Sequence, residues 1–178
     1  MINVPKTFHS LLGRKQTELS LVLIFLFIMI SGFLVGVLAY DEWIDLSLAK
    51  QIILWALFID ISGGVVVNLT KAADQFYQHH SRKRSFFILI HIQPIIITWM
   101  MEIPLHYGIA LYVYTAIGAL FLNTIRQHTI HKPTTGALTA LGFIVVVYWG
   151  QTMPLFVTIL FLFYLFKVLY SFSVCHYE

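Results

Sequence analysis

An aspartate in "FIDISGG" (58–64) and a histidine, glutamine and proline in "HIQP" (91–94) are the groups here that could do chemistry inside an apolar chain. A carboxylate within a bilayer costs about 2.5–3.5 kcal/mol on insertion scales and faces the interior of a helix bundle. Asp60 can serve there as a group that gains and loses a proton while an ion or solute passes. It can equally be a hydrogen-bonded strut between two helices. Gly63 and Gly64 permit close helix approach or a local break in the helix. Pro94 cannot donate to the carbonyl of Ile90, so a kink is expected there, with that oxygen left free for a cavity or an ion. In antiparallel neighbours, Gln93 and Pro94 fall at the depth of Asp60, with His91 one turn nearer the inner surface. The expected site is therefore Asp60, Gly63, Gly64, His91, Gln93 and Pro94, with Glu102 and His106 at its outer mouth. Asp60, Gly64, Val67, Lys71 and Asp74 would share one helical stripe, and His91, Thr98 and Glu102 another.

The elements that must hold these groups are helices in a membrane. Of 178 residues, 59% are hydrophobic and 11% charged, where a soluble domain carries about 25% charged residues. Six apolar runs have the length of a crossing, at 19–40, 48–70, 85–103, 107–125, 136–153 and 155–172. As one helix, 136–172 would be about 55 Å long, so Pro154 is read as a turn between two spans. Lys6, Arg14 and Lys15 precede the first run. Lys71, Arg82, Lys83 and Arg84 follow the second, and Arg126 and Lys132 the fourth. Asp41, Glu42, Asp45 and Glu102 occupy the intervening loops, with only Lys50 for company. Under the positive-inside rule this alternation puts both termini in the cytoplasm. Trp43, Trp99 and Trp149 then fall near the outer ends of spans, and Lys167 snorkels to the inner surface. The expected fold is all-α, one integral membrane domain over 1–178, a six-helix bundle in the plasma (inner) membrane.

Eight histidines invite a metal, and "HTIH" (128–131) has the HxxH spacing. The HxxxH and HxxHH boxes of membrane di-iron enzymes are missing, and Cys175 is the only cysteine. No metal and no cofactor is expected. The basic residues sit at the ends of apolar runs, which excludes a nucleic-acid partner and leaves the lipid bilayer as the surface they meet. There is no phosphate loop, no GxSxG and no HExxH.

Three functions fit. The first is a transporter or channel for a proton, ion or small solute, with Asp60 as the titrating group, His91 and Gln93 as polar partners, and Pro94 and Gly63–Gly64 as backbone breaks. The second is an enzyme acting on lipid or isoprenoid at the inner face through Asp74, His79, His80, Arg82, Arg126, His128 and His131. The third is a non-catalytic membrane subunit. Gly32 and Gly36 form a GxxxG spacing that fits either internal packing or the contact of a homo-oligomer.

Overall fold

Thr17 starts the first long helix: its Oγ1 accepts from the backbone N–H of Ser20 at 3.1 Å, and Glu18 follows in the first turn, where the helix dipole favours an anion. The computed structural model describes residues 2–5, 9–13, 15–78 and 81–174. Ahead of Thr17, β1 (Ile2–Asn3) pairs antiparallel with β2 (Lys15–Gln16) around α1 (His9–Leu12). Then follow α2 (Glu18–Leu38), α3 (Tyr40–Trp43), α4 (Leu48–Val67), α5 (Lys71–Gln78), α6 (Ser81–Ile90), α7 (Gln93–Met100), α8 (Leu105–Thr124), α9 (His131–Trp149) and α10 (Leu155–Leu165). A π-helical segment, Phe166–Phe172, continues α10.

Among the described residues, four helices are long and apolar enough to cross a membrane: α2, α4, α8, and α10 with its π-helical continuation. They coincide closely with the runs 19–40, 48–70, 107–125 and 155–172. The expected single span at 85–103 is instead two helices, because the chain breaks at His91–Ile92 and restarts with Pro94 in the first turn of α7. Proline suits that position, where its missing N–H has no partner to lose. The helix α9 is 19 residues long, but it opens on the polar stretch "HKPTTGALT". It packs antiparallel on α10, with Gly150 against Thr158 and Gly142 against Leu165. The chain therefore turns at Gln151–Pro154, as the proline implied.

The centre of the bundle is α10 with the π-helical segment, 67% of whose apolar window is buried, against 11% for α2 at the periphery. Phe156, Leu160, Phe161, Leu165 and Leu169 are sealed there, and Trp55 of α4 meets Phe156 edge-on at 5.7 Å. Gly32 and Gly36 of α2 face Phe58 and Trp55, so the GxxxG spacing serves packing inside the molecule.

Two charged residues hold the ends of this central helix. Pro154 has no side-chain acceptor for the first turn of α10, and Glu42 of α3 supplies one. Its Oε1 accepts from Leu155 N–H and its Oε2 from Phe156 N–H, each at 2.7 Å. At the other end, Arg84 donates to the carbonyls of Phe172 at 3.1 Å and Ser173 at 2.7 Å, a cation at the negative end of the helix. His131 Nε2 lies 3.1 Å from the same Ser173 oxygen. A carbonyl only accepts, so that nitrogen carries the proton. Arg84 and His131 are both buried, so they act as caps and not as the headgroup-facing cations that their place in basic loops suggested.

Candidate functional site

Asp60 is held by two donors on one oxygen. Lys167 Nζ donates to its Oδ2 at 2.7 Å, and Gln93 Nε2 donates to the same atom. The lysine side chain is 2% exposed and the aspartate 41%, so the ammonium is sealed in protein while the carboxylate opens on a cavity. Lys167 therefore does not snorkel: the nearest anion lies sideways, across the α4–α10 interface, and one buried charge satisfies another. The pairing has a register. Asp60 lies twelve positions after Leu48 (48 + 12) and Lys167 twelve after Leu155 (155 + 12), in helices that run parallel from Trp55–Phe156 through Phe58–Phe163 to Val65–Ser171. Both charges therefore sit about 18 Å from the start of their helices. That equality is written in the sequence, and is the signal by which Lys167 could have been found.

The glycine pair keeps the lysine's path clear. A Cβ on Gly64 would lie 2.4 Å from Lys167 Cε and 2.7 Å from its Cδ, while one on Gly63 would meet Ile28 at 3.2 Å. Helix α4 runs unbroken through both, so they are not backbone breaks, because neighbouring side chains fill the space they leave. The lysine also rides on the π-helical segment, a widened turn common at functional sites. Ser171 in that segment donates to the Val65 carbonyl at 2.9 Å.

The break beside Pro94 leaves no carbonyl open. Ile90 O, expected to be free, accepts from Ile92 N–H at 2.9 Å. Phe87 O lies against His91 Nδ1, Leu89 O accepts from Tyr112 Oη at 2.9 Å, and His91 O accepts from Tyr164 Oη at 2.8 Å. Two phenols from α8 and α10 thus take carbonyls that an ion was expected to find, and for the buried His91 carbonyl an unpaired state would be costly. His91 Nδ1 must be the protonated nitrogen, so neutral His91 presents Nε2 as an acceptor.

Asp60, His91 and Gln93 line one cavity of about 470 Å³, walled by Phe76, Tyr77, Phe86 and Phe87, with Lys83 at its edge. Burial pushes the Tyr77 phenol up to about 12. Pro94 is buried and does not line this cavity. Glu102 lies elsewhere, in the turn after α7 with φ 55°, bonded to Lys50. Lys50 precedes Asp60 by ten residues on α4, or about 15 Å. The Lys50 hydrogen bond and charge hold the Glu102 carboxyl below its usual range. The two residues line a second cavity of about 510 Å³ with Thr98, Trp99 and Ile103. His106 lies tilted against Tyr107, with ring centroids 4.2 Å apart, and lines neither cavity. The stripe expected to reach Asp74 stops at Val67, where α4 ends; buried Asp74 pairs with Arg126 at 3.5 Å.

The loop cluster of the enzyme reading is partly occupied by structure, through the Asp74–Arg126 pair and the His131 cap. His79 and His80 lie outside the described residues, as does the side chain of Arg82. Among the described residues, no three His, Cys, Asp or Glu gather where they could hold a metal ion. Comparison with protein-family models, curated proteins and solved structures finds no match to this chain.

Proposed function

We propose that this chain is a small multi-pass transporter or channel of the plasma (inner) membrane, carrying a proton, ion or small solute past Asp60. Its six crossings are α2, α4, the broken pair α6–α7, α8, α9 and α10 with its continuation, and both termini face the cytoplasm. The alternation of basic and acidic loops supports that orientation. The observation that carries the functional reading is a charge pair of unequal access: Lys167 sealed, Asp60 open to a cavity. Asp60 is the member that a solute in the cavity can reach. Here Asp60 can take a second partner from the cavity through Oδ1, while Lys167 stays on Oδ2 as the counter-charge that keeps the empty site neutral. Gln93 holds the carboxylate in place throughout.

The test is flux into liposomes carrying the purified protein, under an imposed potential, with internal dyes for protons and for monovalent cations. The wild type is expected to dissipate the gradient, and Asp60→Asn to fall to the level of empty liposomes while remaining folded. A wild type that matches empty liposomes for every solute offered, or an Asp60→Asn protein with undiminished flux, overturns the reading.

A further inference from the structure

The polar groups of the cavity nearest Asp60 are acceptors, while Lys83 at its edge and the Tyr77 phenol are the donors of its lining. Both donors that reach Asp60 bind Oδ2, and among the described residues none reaches Oδ1. Gln93 spends its Nε2 on that same carboxylate, and its Oε1 is buried with no partner. His91 turns its N–H to the Phe87 carbonyl, which leaves a lone pair on Nε2. Asp60 and His91 thus offer acceptors to the cavity, and the enclosed Gln93 Oε1 lies beside them without a donor, which is costly. Four aromatic side chains form the walls, and aromatic faces attract cations, as Lys83 Nζ over the Phe76 ring at 5.2 Å already illustrates. Phe86 and Ile90, which also line the cavity, are exposed. An amphiphile could therefore enter sideways from the apolar phase.

We propose that this cavity binds a lipophilic organic ammonium ion, a primary amine on an apolar body, through Asp60 Oδ1 and the His91 ring, with its body among Phe76, Tyr77, Phe86 and Phe87. The volume, about 470 Å³, suits a ligand of drug-like size. A carboxylate head would meet only acceptors at the deep end, and an alcohol would bring one donor and no charge. Lys167 is the tethered competitor: its ammonium sits on the carboxylate when the cavity is empty and yields its share of that charge when the ligand arrives. The inference names the substrate class for the transport reading and rests on it, but binding can be measured without flux.

The experiment is calorimetric titration in detergent at pH 7 with 4-phenylbutylamine, 4-phenylbutanol and 4-phenylbutyrate, which differ only in the head group. The amine is expected to bind about tenfold or more tightly than the alcohol, and the acid not at all. Lys167→Met should tighten amine binding by removing the competitor. Asp60→Asn should abolish the preference for the amine. If that variant does not fold, Asp60→Asn/Lys167→Met removes both charges together and gives the same reading. Alcohol and amine bound alike, acid bound best, or amine binding unchanged in the double variant, as for partition into micelles, overturns the proposal. If the amine shows no preference while Asp60-dependent flux of another solute is found, the transport reading stands and this assignment falls. If the amine binds as expected but nothing is transported, the site stands and the transport reading falls.

Discussion

Lys167 Nζ meets Asp60 Oδ2 at 2.7 Å through a gap that Gly64 leaves open between α4 and the π-helical segment. One charge is locked in protein and the other faces a cavity. That asymmetry gives the pair a direction, because only the aspartate can take a further partner from the cavity while the lysine stays paired to it.

The asymmetry sets the order of three stabilities. Asp60→Asn strands a sealed ammonium and should cost about 3–5 kcal/mol. Lys167→Met leaves a carboxylate that water in the cavity can reach, and should cost less. The double variant should lie near wild type, since replacing both members of a buried pair with neutral groups is often close to neutral. Thermal unfolding in detergent reads all three, and a Lys167→Met protein less stable than Asp60→Asn would contradict the exposure difference.

Gly64→Ala places a methyl group where the lysine stem runs. Overpacking of this kind costs about 1–3 kcal/mol. The same substitution in a Lys167→Ala background should cost far less, because the colliding atoms are gone. Equal losses in the two backgrounds, measured as shifts in Tm, would place the clash elsewhere.

Glu42→Ala removes the acceptor for two N–H groups at the start of α10. Loss of a helix cap costs about 0.5–2 kcal/mol. Glu42→Gln keeps one acceptor and should fall between Glu42→Ala and wild type. Protection of the Leu155 and Phe156 amides from hydrogen exchange reports the contact directly, and unaltered protection in Glu42→Ala would remove it.

His131 gives a dependence on pH. Burial, the largest cause, with the charges of Arg84 and Arg126 adding to it, holds its ring below the ordinary 6.5. The unfolded chain therefore binds a proton that the folded one resists. Its contribution is intact above about pH 6.5 and is lost as pH falls below that. Between pH 7.5 and 5 the wild type should lose more stability than His131→Gln. Parallel pH profiles for the two proteins would show that His131 does not titrate in the folded state as described.

The break at His91 shows where sequence reasoning was sufficient and where it stopped. Pro94 announced an interruption, because a residue without an N–H cannot continue the hydrogen-bond ladder behind it. The fate of the freed carbonyls was not legible, since Tyr112 and Tyr164, which cap two of them, come from helices far along the chain. Lys167 was misread for a related reason. Its long stem fits either snorkelling to an interface or reaching a buried anion, and only the neighbouring helix decides between them.

By itself the sequence determined the helical class, six apolar runs of which four are helices with the length of a membrane crossing, the turn at Pro154, and Asp60, His91 and Gln93 as polar groups within apolar segments. Those follow from composition and period, which depend on each residue and its near neighbours alone. The tertiary structure alone decided that Lys167 answers Asp60, that Gly64 makes room for it, and that Glu42 and Arg84 close the two ends of the central helix. Each is a contact between segments remote in the chain. Buried charges and helix ends find partners by proximity in the packed bundle, and proximity is a property of the packing.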